Sequence, residues 1–137
     1  MTAALRYLLA TNILSDMVRK PHGRIRARII AAGEGKICTS ILSAGELRYG
    51  AAKAGSPSLM ERIDQVLSAL VVLPFDSPAD RHYAEIRTAL SHEGTLIGAN
   101  DLLIAAHARS LDLTVVTAND REFSRVPDLR VVNWLRH

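Results

Sequence analysis

Residues 5–19 read LRYLLATNILSDMVR and contain the junction that decides the fold. The apolar run at residues 5–9 is typical of a buried strand, and an apolar helical pattern begins at Asn12. Between the two stand Ala10 and Thr11, so a small apolar residue occupies the point where the strand meets a polar pair. A strand that passes directly into a helix predicts the first half of a β-α unit.

Four more strand-like runs follow, and none of the first four runs alternates cleanly between apolar and polar residues. Strands that are apolar on both faces are typical of a sheet covered by helices on both sides. The predicted strands are RYLL around Leu8, KICTS around Ile37, VVLPF at Val71 to Phe75, LTVVT at Leu113 to Thr117, and RVVNW around Val132.

Helical patterns fill the intervals between these strands. Ser56 and Pro57 predict an N-cap and a first helical residue, Ser77 and Pro78 predict the same for the next helix, and Gly94 predicts its end. The alternation predicts a single domain over residues 1–137, a three-layer α/β/α sandwich around a mainly parallel sheet of about five strands. The predicted helices cover residues 12–19, 22–32, 42–54, 58–70, 78–91 and 100–110.

Composition limits the class of protein. Of the 137 residues, 48% are hydrophobic, which suffices for one core, and no apolar run is long enough to span a bilayer. We expect no secretory signal, and the single Cys38 excludes an intrachain disulfide, which favours a reducing, cytoplasmic setting. The net charge of +3 comes mostly from arginine and permits a nucleic-acid partner without establishing one.

Acidic residues follow the predicted strands at the edge where ligands bind in parallel sheets. Glu46, Asp101 and Asp120 could converge there, and clustered carboxylates repel one another unless a cation joins them. Oxygen-only ligands favour Mg²⁺ or Mn²⁺. Taken singly, Asp101 is explained by the helix dipole and Asp120 by a turn, whereas the two interpretations of Glu46 are evenly balanced.

The other polar residues allow simple interpretations as well. Thr11 or Asn12 is expected to cap a helix rather than bind a ligand. The five histidines are scattered, and none has an acid or cysteine at a catalytic spacing. His107, in the apolar stretch IAAHA, is expected to be a packed or surface histidine.

Four stretches together resemble the PIN-domain family. YLLATNILSD resembles its opening motif, TSILSAGELRYGA the motif with a glutamate, GTLIGANDLLIAAHA the motif with an aspartate at a helix start, and LTVVTANDREFSRVPDLRVVNW the fourth. Their order covers nearly the whole chain. Within the family, the length and wording resemble the VapC toxins of bacterial toxin–antitoxin pairs.

The resemblance implies a metal-dependent endoribonuclease that cuts structured RNA, often transfer RNA and sometimes ribosomal RNA. It also implies a homodimer and an antitoxin whose C-terminal arm crosses the acidic site. By motif, Glu46 and Asp101 match members of the acidic set, and the fourth position falls on Asn119 or the adjacent Asp120. The supporting polar positions match Thr11, Asn12 and Thr117, and Arg48 is a candidate for holding the RNA backbone.

Ala10 is the largest departure from the family pattern. The first aspartate of the family, generally a metal ligand, falls on this alanine, and a methyl group cannot coordinate Mg²⁺. The resemblance therefore predicts an inactive chain. An introduced replacement, which would protect an expression host, is favoured because the other motif positions look intact; a natural relic is the alternative.

Two further functions are alternatives to the nuclease. A catalytically inert module that dimerises and binds an antitoxin would keep most of the same surface. A phosphorelay receiver shares the α/β order, but it needs paired acids after the first strand and a lysine after the last. The segment TVVTAND contains no lysine, so the receiver is disfavoured.

Overall fold

The computed structural model describes residues 4–136 and contains one parallel sheet. Its strands are β1 (Tyr7–Leu9), β2 (Ile37–Ser40), β3 (Val71–Leu73), β4 (Thr114–Val116) and β5 (Val131–Val132). They lie in the order β3-β2-β1-β4-β5, and every neighbouring pair is parallel. The predicted fold class, with all five strands, is confirmed.

Helices connect the strands and cover both faces of the sheet. They are α1 (Thr11–Arg19), α2 (Arg24–Ala32), α3 (Ile41–Ala54), α4 (Pro57–Ser68), α5 (Ala79–Glu93), α6 (Ala99–Ser110) and α7 (Asp120–Phe123), with a 3₁₀ turn at Glu34–Lys36. In the part of the chain from residue 4 to residue 136, no helix is long and apolar enough to cross a membrane.

The core is divided by the sheet into two layers. Successive residues of a strand point to opposite faces, so Leu8 packs with Ile86 and Ile104 on one side while Leu9 packs with Ile13 on the other. These side chains are fully or almost fully buried. Double-sided burial of the central strands accounts for their unbroken apolar runs.

Three predictions about local structure were wrong. The strand at Val71 was expected to be covered on both sides, but Val71 is 49% exposed, because β3 is an edge strand. Ser77 caps nothing: α5 begins at Ala79 with Pro78 in the capping position. Thr11 and Asn12 do not cap α1 either, since the helix begins at Thr11 itself and Ala10 is its N-cap residue.

Other helix signals were read correctly. Ser56 accepts a 3.2 Å hydrogen bond from the backbone N–H of Leu59 at the start of α4, and Pro57 is the first residue of that helix. Gly94 ends α5 in the left-handed conformation, with φ of 68°. The short helix α7 was missed, because four residues are too few for a periodic signal.

The strand order predicts a binding crevice at the centre of the sheet. The chain builds outward from β1 through β2 to β3 and then returns to the other side of β1 to form β4 and β5. Such a reversal leaves a gap between the helices at the carboxyl ends of β1 and β4, where ligands bind in open α/β sheets. Ala10 and Thr117 are the residues that follow these two strands.

Candidate functional site

Ala10 lies at the end of β1, where this crevice is expected. Its backbone N–H donates a 2.9 Å hydrogen bond to the carbonyl of Val116, which joins the ends of β1 and β4. The residue is 2% exposed, and it leads directly into α1. The backbone therefore presents a buried methyl group at the end of β1.

Glu46 projects from α3 towards the same strand end. One carboxylate oxygen accepts a 2.6 Å hydrogen bond from the hydroxyl of Thr11, and the other accepts a 2.9 Å bond from the amide of Asn100. Because Thr11 follows Ala10 directly, these bonds hold the glutamate beside the end of β1. Both of its oxygens are bound by neutral donors.

Asp101 lies in the first turn of α6 and is half-buried. Burial raises its pKa above the ordinary value, and the nearby carboxylates of Glu122 and Glu46 raise it further. A hydrogen bond of 3.3 Å from the side-chain amide of Asn119 opposes part of this shift. Negative charge on Asp101 is therefore unfavourable at this position.

Glu122 is the site residue that the sequence reasoning missed. It lies in α7, three residues after Asn119, and the amide of Asn119 donates to its carboxylate as well as to that of Asp101. A carboxylate one helical turn after the fourth-motif position was the available signal. The signal was hidden because α7 itself was not predicted.

Asn119 and Asp120, which the sequence left as alternatives, point to different surroundings. Asn119 bridges the two carboxylates of Asp101 and Glu122. The carboxylate of Asp120 instead accepts bonds of 2.8 Å from Arg136 and 3.3 Å from Asn133. Asp120 therefore ties α7 to the C-terminal segment, and Asn119 is the member of the pair that faces the acidic cluster.

Asn12 and Thr117 form a polar link between the ends of β1 and β4. The amide of Asn12 lies 3.4 Å from the hydroxyl of Thr117, and its carbonyl oxygen accepts a 3.1 Å bond from the backbone of Ala118. The buried Thr117 hydroxyl also accepts a 2.9 Å bond from the backbone N–H of Asn119. These contacts fix the loop that carries Asn119.

Arg48 lies two residues after Glu46 but is engaged elsewhere. Its guanidinium forms a 2.5 Å ion pair with Asp64 of α4, and both side chains are substantially exposed. Exposed pairs of this kind exchange readily with solvent or with another anion. The role of Arg48 in holding RNA stays a prediction.

The donor set has the chemistry of a hard-cation site but is incomplete. Glu46, Asp101 and Glu122 supply carboxylate oxygen, the ligand type that Mg²⁺ and Mn²⁺ prefer. Mutual repulsion raises the pKa of Asp101, and a cation between these groups would relieve it. Even so, within residues 4–136 no three His, Cys, Asp or Glu side chains lie close enough together to hold a metal ion. The residue at the centre of the crevice is Ala10.

The chain is similar to known proteins over almost its whole length. The PIN domain family model matches residues 7–129. The chain is 40% identical to "Ribonuclease VapC2" of Haemophilus influenzae over 96% of this chain and 99% of that protein. It is 37% identical to "tRNA(fMet)-specific endonuclease VapC" of Shigella flexneri, over 95% and 98%.

A solved structure shows the same fold. The crystal structure of VapBC2 from Rickettsia felis, bound to a DNA fragment from its promoter, superposes with a TM-score of 0.89 at 34% identity. The match covers 95% of this chain and 99% of that one. The fold therefore matches that of a toxin solved together with its antitoxin.

Proposed function

Because the chain belongs to the PIN-domain family, and within it to the VapC toxin ribonucleases, we propose that its crevice is a Mg²⁺- or Mn²⁺-dependent endoribonuclease site disabled by Ala10. The observation that carries the proposal is the arrangement of Glu46, Asp101 and Glu122 around the strand end that Ala10 occupies. The carboxylates of Glu46 and Glu122 act on Asp101, and Ala10 supplies no oxygen ligand at the end of β1.

With aspartate at position 10, that residue, Asp101 and Glu46 would hold the ion, with Glu122 as a further ligand. A bound ion supplies an activated water for in-line attack on a phosphodiester and neutralises the leaving oxygen. Thr11 donates to Glu46 and holds its carboxylate, and Asn119 donates to both Asp101 and Glu122. Because these donors are uncharged, they orient the carboxylates without neutralising the charge that would hold the cation.

The proposed substrate is structured RNA, and transfer RNA is the favoured candidate. Support comes from the tRNA-specific relative and from the surplus of basic residues, mostly arginine, which suits phosphate. Such a substrate and the single buried thiol fit the cytoplasm. Arg48 is the proposed phosphate contact, on exchange from Asp64.

The second candidate function is that of an inert antitoxin-binding module, and it describes the chain with Ala10. The methyl group is fully accommodated in the core, so the fold and its outer surface persist without the carboxylate. VapBC complexes among the structural relatives support an antitoxin as partner. We propose that this form dimerises and binds its antitoxin but cuts nothing.

The nuclease proposal is tested with Ala10→Asp protein, structured RNA including transfer RNA, and Mg²⁺ or EDTA. Ala10→Asp protein is expected to cleave RNA in the presence of Mg²⁺ and not in EDTA. The Ala10 chain is expected to cleave in neither. Ala10→Asn is the matched control, because it has the same shape without the charge. Cleavage by Ala10→Asn at the rate of Ala10→Asp, or none by Ala10→Asp on any RNA, contradicts the proposal.

The binding proposal is tested by co-expressing the Ala10 chain with the small protein encoded beside it. The expected result is a stable complex by size-exclusion chromatography with light scattering, containing a dimer of the chain. A chain that stays monomeric and elutes alone argues against it.

A further inference from the structure

His107 is a buried histidine that the proposed chemistry does not use. It lies in α6, six residues and nearly two turns after Asp101, and it is 1% exposed. Its Nδ1 lies 2.8 Å from the hydroxyl of Ser40. The ring of Phe75 packs edge-on against it, with centroids 5.3 Å apart and planes at 75°. The sequence left open whether this residue was packed or on the surface, and it is packed.

Ser40 is the hinge between a strand and the helix that carries Glu46. It is the last residue of β2 and the N-cap of α3, where its hydroxyl accepts a 3.0 Å hydrogen bond from the backbone N–H of Leu42. The residue is fully buried. Its hydroxyl therefore joins three elements: the end of β2, the first turn of α3 and, through His107, the last turn of α6.

Burying an imidazole costs free energy unless its polar atoms are bonded. Burial lowers the pKa of His107, against smaller opposing contributions from the Pro74 carbonyl and the Asp76 carboxylate of the β3–α5 loop. The ring is consequently neutral near pH 7. Its Nε2 has no hydrogen bond of normal geometry among the described residues, so the bond to Ser40 is the well-formed polar contact of the ring.

We propose that His107 is a positioning residue, which through Ser40 holds α6 against the β2–α3 junction and so sets the spacing between Asp101 and Glu46. The proposal rests on the proposed function, because that spacing matters for holding a cation. The contacts form one chain from His107 to Ser40 to α3 on one side, and along the rigid helix α6 to Asp101 on the other. Mutating the residues that orient metal ligands typically lowers metal affinity or activity by 10- to about 100-fold.

The first test needs no metal and uses the Ala10 chain. Asn100 donates to Glu46 and Asn119 donates to Asp101, so their side-chain amide resonances report where the two carboxylates lie. His107→Phe keeps a ring and removes the bond, and it should shift both amide signals in ¹H–¹⁵N spectra. Unchanged signals from both amides would overturn the proposal, whatever the metal does.

The second test measures Mn²⁺ affinity in Ala10→Asp protein by electron paramagnetic resonance. His107→Phe should weaken Mn²⁺ about tenfold and lower kcat on RNA with little change in KM. His107→Asn, which can place a polar atom near the position of Nδ1, should recover most of the affinity. A folded His107→Phe protein with unchanged Mn²⁺ affinity would show a role in stability alone and would overturn the proposal.

Two further variants complete the design. Ser40→Ala removes the same bond together with the N-cap bond from Leu42, and combining it with His107→Phe should give less than the sum of the single effects. His82→Gln is the matched control, because His82 accepts a 2.8 Å bond from Arg109 on the outer side of α6 and should affect stability without moving Mn²⁺ affinity. Additive effects in the double variant would contradict coupling through this bond. Failure of Ala10→Asp to bind Mn²⁺ would count against the proposed function, and the amide spectra would still decide the role of His107.

Discussion

Thr11 donates a hydrogen bond of 2.6 Å to Glu46 from the position directly after the buried methyl group of Ala10. The end of β1 and the glutamate of α3 are therefore already held together in a chain that lacks the carboxylate between them. This preorganisation explains why a single replacement at position 10 is expected to control metal binding without disturbing the fold.

Asp101→Asn should raise the melting temperature of the metal-free Ala10 chain. Burial and the carboxylates of Glu122 and Glu46 raise the pKa of Asp101, so its charged form destabilises the native state. The folded protein holds this proton more tightly than the unfolded chain, whose aspartate pKa is about 4. The stability of the parent therefore falls as pH rises through the raised pKa, and the advantage of Asp101→Asn should grow over the same range.

Thermal melting in EDTA between pH 4 and pH 8 measures this effect. Glu61→Gln is the control, since Glu61 is an exposed residue of α4 remote from the cluster. A melting temperature for Asp101→Asn below that of the parent at pH 8 would mean that the acidic cluster is not under electrostatic strain.

Glu122→Gln and Asp120→Asn should separate the two acids of α7. In Ala10→Asp protein, Glu122→Gln should weaken Mn²⁺ about tenfold, because the Glu122 carboxylate faces Asp101. Asp120→Asn should leave Mn²⁺ affinity within about twofold and lower the free energy of unfolding in urea by about 1 kcal/mol, since it weakens a partly exposed pair with Arg136. The reverse order of effects on Mn²⁺ would assign the fourth position to Asp120.

Cys38 should be inert in the native protein. Its side chain is fully buried in β2, and burial raises the pKa of the thiol to about 12, so almost no thiolate exists at pH 8. Iodoacetamide at pH 8 should leave the folded protein unmodified by mass spectrometry and should alkylate it fully in urea. Native labelling at the rate seen in urea would show that this strand opens readily.

His107 should make stability depend on pH below neutrality. Because burial lowers the pKa of His107, the unfolded chain binds its proton first, and stability should fall as pH drops below the unfolded value of about 6.5. One proton contributes at most about 1.4 kcal/mol per pH unit. The free energy of unfolding, measured with urea at pH 7, 6 and 5, should change less with pH for His107→Phe than for the parent. Equal slopes would show that another group carries the pH dependence.

The sequence predicted the sheet because its central strands are buried on both faces and leave unbroken apolar runs. It also placed Glu46 in the helix after the second strand and Asp101 at the start of a later helix, where the structure has them, whereas the metal-binding role of Ala10, Glu46 and Asp101 stays a prediction. The edge position of β3 escaped prediction, because exposure of Val71 depends on strand order rather than on the composition of the run.

In the fourth motif, the orientation of the polar side chains could not be predicted from the sequence. The choice between Asn119 and Asp120 depends on Arg136, sixteen residues further along the chain, which draws Asp120 away from the crevice. Glu122 reaches the site through a helix of four residues that has no periodic pattern. Orientation in short loops is decided by such distant contacts, and local spacing does not encode it.

Titration of the Ala10 chain and of Ala10→Asp protein with Mn²⁺, followed by electron paramagnetic resonance, tests the central claim most directly. Ala10→Asp should bind Mn²⁺ saturably and at least about tenfold more tightly than the Ala10 chain, because a direct ligand should matter no less than the groups behind it. Ala10→Asn should behave like the Ala10 chain. Equal Mn²⁺ affinity in the Ala10 and Ala10→Asp proteins would contradict the claim that position 10 is the missing ligand of the site.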